Sequence, residues 1–396
     1  MTPPLNLTNT NPSLITFEPF TLPPTNQRTL TTPHPPHTQI PLALKPSSSS
    51  PNPTLETTIQ TIQTLQKTNT LTTLLSTHGT LLFRSLPITS ATSFSTFTQA
   101  FGFHPHEIIG IVVNRPTLAP NVSPANEAPP HIRIYNHNES PQVPHAPGYV
   151  FFYCQKAPKG NSGGETPISS SLELFNRVKK EIPGFVEELA EKGILSRVVY
   201  KWGKQYEGGS TLREAFGKEI LDGEDEETKK QKIEKQIKRY GRGEWTRFEW
   251  VDDDHDAEGQ SLVVTHQLPV IRTQSGTNLP TLFTGLAAYY RNKLGAAKGG
   301  KAERKNVATQ LYGDGTDIPE EYLAILARIT DEIRVLHKWE EGDVLVFDNV
   351  IAQHGREPWE GEQGDRVVLA SLYDGECVPG AYGSQGWVQV VKALGG

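Results

Sequence analysis

The chain has 396 residues, enough for one large domain or two ordinary ones, with 21% charged residues and a formal net charge of −6. No basic stripe is present to meet a phosphate backbone, no run of about 18 apolar residues could span a bilayer, and the N-terminus lacks a signal-peptide apolar core. Two cysteines, Cys154 and Cys377, make no disulfide framework, so the expectation is a cytoplasmic protein with no nucleic-acid or membrane partner.

Residues 1–52 are rich in Thr, Pro, Ser and Asn and end in PSSSSPNP, which predicts a flexible, low-complexity extension with too little apolar surface to offset its ordering entropy. Residues 53–396 are then expected to form one folded domain, with a variable insertion at about 200–310. Leu55, Ile59, Ile62 and Leu65 recur at helical spacing, and TLLFR after Gly79 reads as the first core strand. Ser90 is placed to cap a helix carrying Phe94, Phe97 and Phe101 on one side. IRIYNHNE and YVFFYC read as strands, followed by helices over about 172–180 and 185–192 that Gly193 stops. Residues 213–242 are heavily charged and predict a solvated helix with i,i+4 ion pairs. FEWVDDD, SLVVTHQLPVIRT and TLFTGL return to strand character, with DDDHD as an exposed acidic turn. IPEEYLAILARITDEIRVLHKW reads as an amphipathic helix capped by Asp317, and VLVFDN and RVVLASLY as the closing strands. Short-strand blocks separated by helical and hairpin insertions suit a mainly-β, double-stranded β-helix core of the jelly-roll or cupin-like kind. Its facing sheets bring distant residues to one mouth.

The chemistry centres on His137-Asn138-Glu139. On an extended strand residues i and i+2 share a face, so this imidazole and carboxylate can grip one ion together. They are two ligands of a 2-His-1-carboxylate set, which leaves iron(II) with open positions, and His354 is the candidate third. With 12 histidines and 44 acidic residues in the chain the short motif alone is unspecific. GGET at 163–166 adds two glycines for close backbone approach and the Thr166 hydroxyl, and Arg366 opens the final strand, with Arg356 as a rival cation. His104, His106 and His145 are an alternative cluster, whereas the helical H-E-x-x-H of zinc hydrolases is missing. Sequons at Asn6, Asn121 and Asn138 are read as coincidence, since a glycan on Asn138 would block the cluster.

Together, ANEAPP (125–130), HNESPQVP (137–144), FFYC (151–154), GGETPI (163–168), GDVLVFDN (342–349), HGR (354–356) and RVVLASLYDG (366–375) resemble the TauD/TfdA-like family of iron(II)/2-oxoglutarate dioxygenases. The resemblance is closest to its clavaminate-synthase-like branch, which carries an H-x-E…H triad. It implies that His137, Glu139 and His354 ligate the catalytic iron, that Arg366 forks onto the distal carboxylate of 2-oxoglutarate, and that Thr166 donates a hydroxyl hydrogen bond there. It also implies O2 as co-reactant, oxidation of a C–H bond in a small-molecule metabolite, and release of succinate and CO2. In taurine-oxidising members an arginine four residues beyond the cosubstrate arginine holds the sulfonate. Here Ala370 stands there, which predicts a neutral or mainly apolar substrate. The alternative, a non-catalytic metabolite-binding protein on the same scaffold, predicts loss of metal or cosubstrate residues, and all are present.

Overall fold

Along Tyr149–Lys156, Val150, Phe152 and Cys154 enter one core while Phe151 and Tyr153 enter another. A strand apolar on both faces belongs to a sheet covered on both sides. The computed structural model, which describes residues 7, 14–110, 115–125, 128–160, 162–203, 211–241, 243, 245–254, 259–297 and 309–375, places it near the middle of such a sheet. The strand order there is Phe17–Pro19, Leu42–Pro46, Thr80–Phe83, Val344–Asp348, Tyr149–Lys156, Val367–Asp374 and His104–Pro105, with Ser123–Pro124 also pairing Val367–Asp374. A smaller antiparallel sheet runs Val335–His337, Thr166–Ser170, Ala352–Arg356, Ile134–His137. Ile168, Val335 and Ala352 from this sheet share a core with Phe152, Leu345, Phe347 and Val368 from the larger one. The two sheets therefore face each other, the jelly-roll expected. The outer face of the larger sheet packs Phe83 and Phe151 under the helices Leu55–Lys67, Thr70–His78 and Ala91–Gln99. Ser90 caps the last of these by accepting from Ser93 N–H.

The flexible extension expected over residues 1–52 is overturned for its described part. Leu42–Pro46 lies inside the large sheet, antiparallel to Phe17–Pro19 and parallel to Thr80–Phe83, with Ala43 and Leu44 fully buried. The same segment closes the open edge of the smaller sheet: Leu336 N–H donates to Thr25 O and Asn26 Nδ2 donates to Leu336 O. Composition misled because the few apolar residues are placed so that Leu22, Leu30, Ile40, Leu42 and Leu44 all fall on buried faces. An average over residues cannot register placement.

A second correction concerns the long helix. It spans Glu320–Glu332 with Pro319, not Asp317, at its N-cap, and Val335–His337 turns into a strand against Thr166–Ile168. The Arg28 guanidinium donates to Ile333 O at the helix end, so a carbonyl that would have continued the helix is satisfied from outside.

Between the two blocks of barrel strands lies a third sheet, ordered Thr246–Asp252, Gln260–Leu268, Ile194–Tyr200, Thr309–Tyr312. Helix Glu226–Tyr240 buries Ile233 and Ile237 against it and turns its charges outward, with Glu234–Lys238 at 3.1 Å. Cys377, the Asn6 sequon and His255-Asp256 of the acidic turn lie outside the described residues. Among those described, no helix is long and apolar enough to cross a membrane.

Candidate active site

Strand pairing supplies the first step of the site. His354 is the register partner of His137 across Ala352–Arg356 and Ile134–His137, so two residues 217 positions apart become neighbours with ring centroids 4.9 Å apart. A β-bulge follows His354, and Gly355 permits it: an added Cβ would sit 2.4 Å from Ile134 O. Glu139 arrives differently from the sequence reading. The strand stops at His137, and Glu139 follows it rather than sharing its face. Its position is fixed by Asn349, whose Oδ1 accepts Glu139 N–H at 2.6 Å while Nδ2 donates to Glu139 O at 3.0 Å and Pro147 O at 2.8 Å. Asn138, fully buried between the two candidate ligands, ties the motif inward. It donates to Asn349 O and Ser171 Oγ and accepts from Thr284 N–H and Gln353 Nε2.

The three side chains converge. His354 Nε2 is 3.1 Å and His137 Nε2 3.9 Å from Glu139 Oε2, and one ligand atom from each residue lies within 4.8 Å of the others. His137 Nδ1 donates to Tyr135 O at 2.7 Å, the outer hydrogen bond that fixes a tautomer and directs Nε2 at an ion. Burial opposes the charge on Glu139, but the hydrogen bond from His354 and the positive potential of His354, His137 and Arg115 outweigh it, holding the carboxyl down at about 2. An anionic carboxylate with two imidazole nitrogens fits a divalent iron ion.

A second locus lies deeper between the sheets. Thr166 is two residues from Ile168, the register partner of His354, so its side chain shares that face, roughly 7–8 Å along the diagonal. Arg366 is only 9% exposed, and its Nε donates to Gly164 O at 2.7 Å and its Nη2 to Thr166 Oγ1 at 3.4 Å. Gly164, at φ +80°, allows this approach, since an added Cβ would meet Arg366 Cδ at 3.0 Å. Burial and the nearby Arg356 push the Arg366 guanidinium down to about 10, still charged at neutral pH, and no carboxylate among the described residues hydrogen-bonds it. A buried cation with neutral partners fits an anionic ligand.

The rival assignments part here. Arg356 donates to the carbonyls of Ala128, Pro129 and Ile132, holding the 128–132 loop. His106 and His145 do meet, but with Asp374, while His104 stays exposed. His106 Nδ1 lies 2.5 Å from Asp374 Oδ1, a hydrogen bond, and the two rings stack with planes 26° apart, so their in-plane lone pairs do not converge. Cys154 is buried and its thiol is pushed up to about 12 by burial, an inert group. Sequence reasoning missed Trp339, whose Nε1 donates to Thr166 Oγ1, and Arg115, whose charge reaches Glu139. The run GDVLVFDN signalled Asn349, but nothing local marked Trp339.

Similarity to known proteins gives the chain a family. The profile of the taurine catabolism dioxygenase TauD, TfdA family matches residues 45–373. The chain belongs to that family. A clavaminate synthase-like protein of Arabidopsis thaliana is 32% identical over 331 residues, covering 83% of this chain and 91% of the relative. The dapdiamide synthesis protein DdaC of Enterobacter agglomerans is 29% identical over 300 residues, covering 75% and 83%. Among solved structures, the PvcB protein of Pseudomonas aeruginosa aligns over 93% of both chains at 15% identity and a TM-score of 0.46. This TauD/TfdA-family chain is an iron(II)- and 2-oxoglutarate-dependent oxygenase.

Proposed function

We propose that His137, Glu139 and His354 hold the iron, that Arg366 and Thr166 seat the distal carboxylate of 2-oxoglutarate, and that the substrate is a small neutral or mainly apolar metabolite. Iron, cosubstrate and O2 together supply an oxidant that removes hydrogen from a C–H bond while 2-oxoglutarate becomes succinate and CO2. The chain's own part is to bind, orient and exclude water. Phe152 and Phe347 pack their rings 5.0 and 5.3 Å from His354, giving the space beside the imidazole dry walls. Arg366 and Thr166 grip the end of the diacid away from the metal and fix its depth.

The observation that carries the reading is the juxtaposition itself: three convergent ligand atoms at one end and a buried guanidinium without a carboxylate at the other. Support for the substrate class comes from Ala370, 7% exposed in the same core as Val368 and Phe152. A methyl group there offers a sulfonate neither donor nor charge, and burying an anion without a partner is costly. The test is succinate release from 2-oxoglutarate with taurine and with a panel of neutral metabolites of similar size. Tight coupling to a neutral compound is expected, and efficient coupled turnover of taurine would sink the substrate reading.

A further inference from the structure

We infer that Trp339 is a positioning residue that sets the direction of the Thr166 hydroxyl and so selects a cosubstrate with a distal carboxylate. This rests on the reading of Arg366 and Thr166 as the cosubstrate seat. A threonine hydroxyl has one hydrogen to donate and two lone pairs to accept with. Both acceptor positions of Thr166 Oγ1 are taken, by Trp339 Nε1–H at 3.0 Å and Arg366 Nη2–H at 3.4 Å. Indole nitrogen and guanidinium can only donate, so neither can receive the Thr166 proton. Thr166 is 3% exposed, and no acceptor for its O–H lies among the described residues. The hydroxyl is thus left as a donor beside a buried cation, which is the pairing a carboxylate oxygen completes.

The placement of Trp339 is well supported. It follows by two residues His337, the register partner of Thr166, and its ring meets the His337 ring edge-on at 4.8 Å. The turn after it is pinned by Asp343, which takes two hydrogen bonds from Arg84 at 2.8 Å and accepts Glu340 N–H at 2.9 Å. Trp339 is 4% exposed, within the core the two sheets share. Without the indole donor the Thr166 hydroxyl regains a free lone pair and can rotate, because Arg366 alone leaves a second acceptor position open.

The test uses Trp339→Phe, which keeps an aromatic ring and removes the donor, and Trp339→Met as a second donor-free variant should the first not fold. Calorimetric titration of the iron(II)-loaded enzyme without oxygen compares 2-oxoglutarate with 2-oxopentanoate, a keto acid of equal length lacking the distal carboxylate. Loss of the donor is expected to weaken 2-oxoglutarate binding roughly three- to tenfold and leave 2-oxopentanoate unchanged. Thr166→Val is expected to weaken 2-oxoglutarate by about tenfold or more, with no further loss on adding Trp339→Phe. Equal weakening for both keto acids would reduce Trp339 to packing and overturn the inference. So would wild-type affinity in both donor-free variants while Thr166→Val is impaired, a result that leaves the cosubstrate seat standing. If Thr166→Val and Arg366→Ala both bind 2-oxoglutarate normally, the seat itself is wrong and the inference falls with it.

Discussion

The two ends of the site solve opposite electrostatic problems. At the metal end a carboxylate faces two imidazoles, and Asn138 and Asn349 tie the chain around them through at least seven hydrogen bonds, most of them to backbone atoms. At the other end Arg366 is buried against a carbonyl, a hydroxyl and the Trp359 ring 5.8 Å away, and no carboxylate among the described residues hydrogen-bonds it. The metal end is preorganised by crosslinks between backbone and amide side chains. At the other end, on the proposed reading, a cation with neutral hydrogen-bond partners is what a carboxylate would complete. On that reading, one site orders two ligands by different means, and its two ends should fail differently.

The largest effect is expected at the metal end. Glu139→Ala or His354→Ala should lower iron affinity beyond the roughly 10–100-fold that outer hydrogen-bonding partners are worth, with turnover falling to background. Circular dichroism of the metal-free variant should stay native, and full turnover with iron would refute the ligand assignment. Next comes Arg366→Ala, expected to weaken 2-oxoglutarate binding by about 2–5 kcal/mol in calorimetry while iron affinity holds. Arg366→Lys should recover only part, because a point charge lacks the fork. Leu44→Ala serves as the contrast far from both ends. It should destabilise the fold by about 2–5 kcal/mol in urea unfolding yet leave both affinities intact in the folded protein.

Asn349→Ala sharpens the comparison further. Removing the amide that clasps Glu139 should cost roughly 10–100-fold in iron affinity without changing the metal-independent stability to the same degree. Equal iron binding in the variant would mean that Glu139 orders itself. The smallest effect concerns Asp348, whose carboxyl burial pushes up to about 7, only partly offset by the N–H groups of Val350 and Ile351. The folded protein then binds more protons than the unfolded chain between an ordinary aspartate value of about 4 and about 7, so stability falls as pH rises through that window. Asp348→Asn should therefore melt higher than wild type at pH 7.5, with the gap closing by pH 4. A gap of the same size at both pH values would remove the titration from the account.

Local pattern was enough for several elements. Ser90 announced a helix start, Gly193 a helix stop, and the apolar run YVFFYC a strand. Such signals lie within one element, where periods of 3.6 and 2 act over a few residues. Two elements escaped them. Residues 14–46 looked like a polar tail, because sparse apolar residues count in a core by where they point. Val335–His337 looked like the end of a helix, because its partner strand, Thr166–Ile168, is some 170 residues away in sequence.

The sequence by itself determined the chemical inventory: the H-x-E pair, a late histidine, a glycine-lined threonine and a strand-opening arginine, in an order that resembles one family. Tertiary structure alone decided how those groups stand to one another. It put Glu139 beyond the strand and under the Asn349 amide, tied Arg356 to three loop carbonyls, left Arg366 buried without a carboxylate, and brought Trp339 onto Thr166. The reason is physical. A side chain's identity is local, but its burial, charge balance and hydrogen-bond direction depend on atoms that only folding brings within a few ångströms.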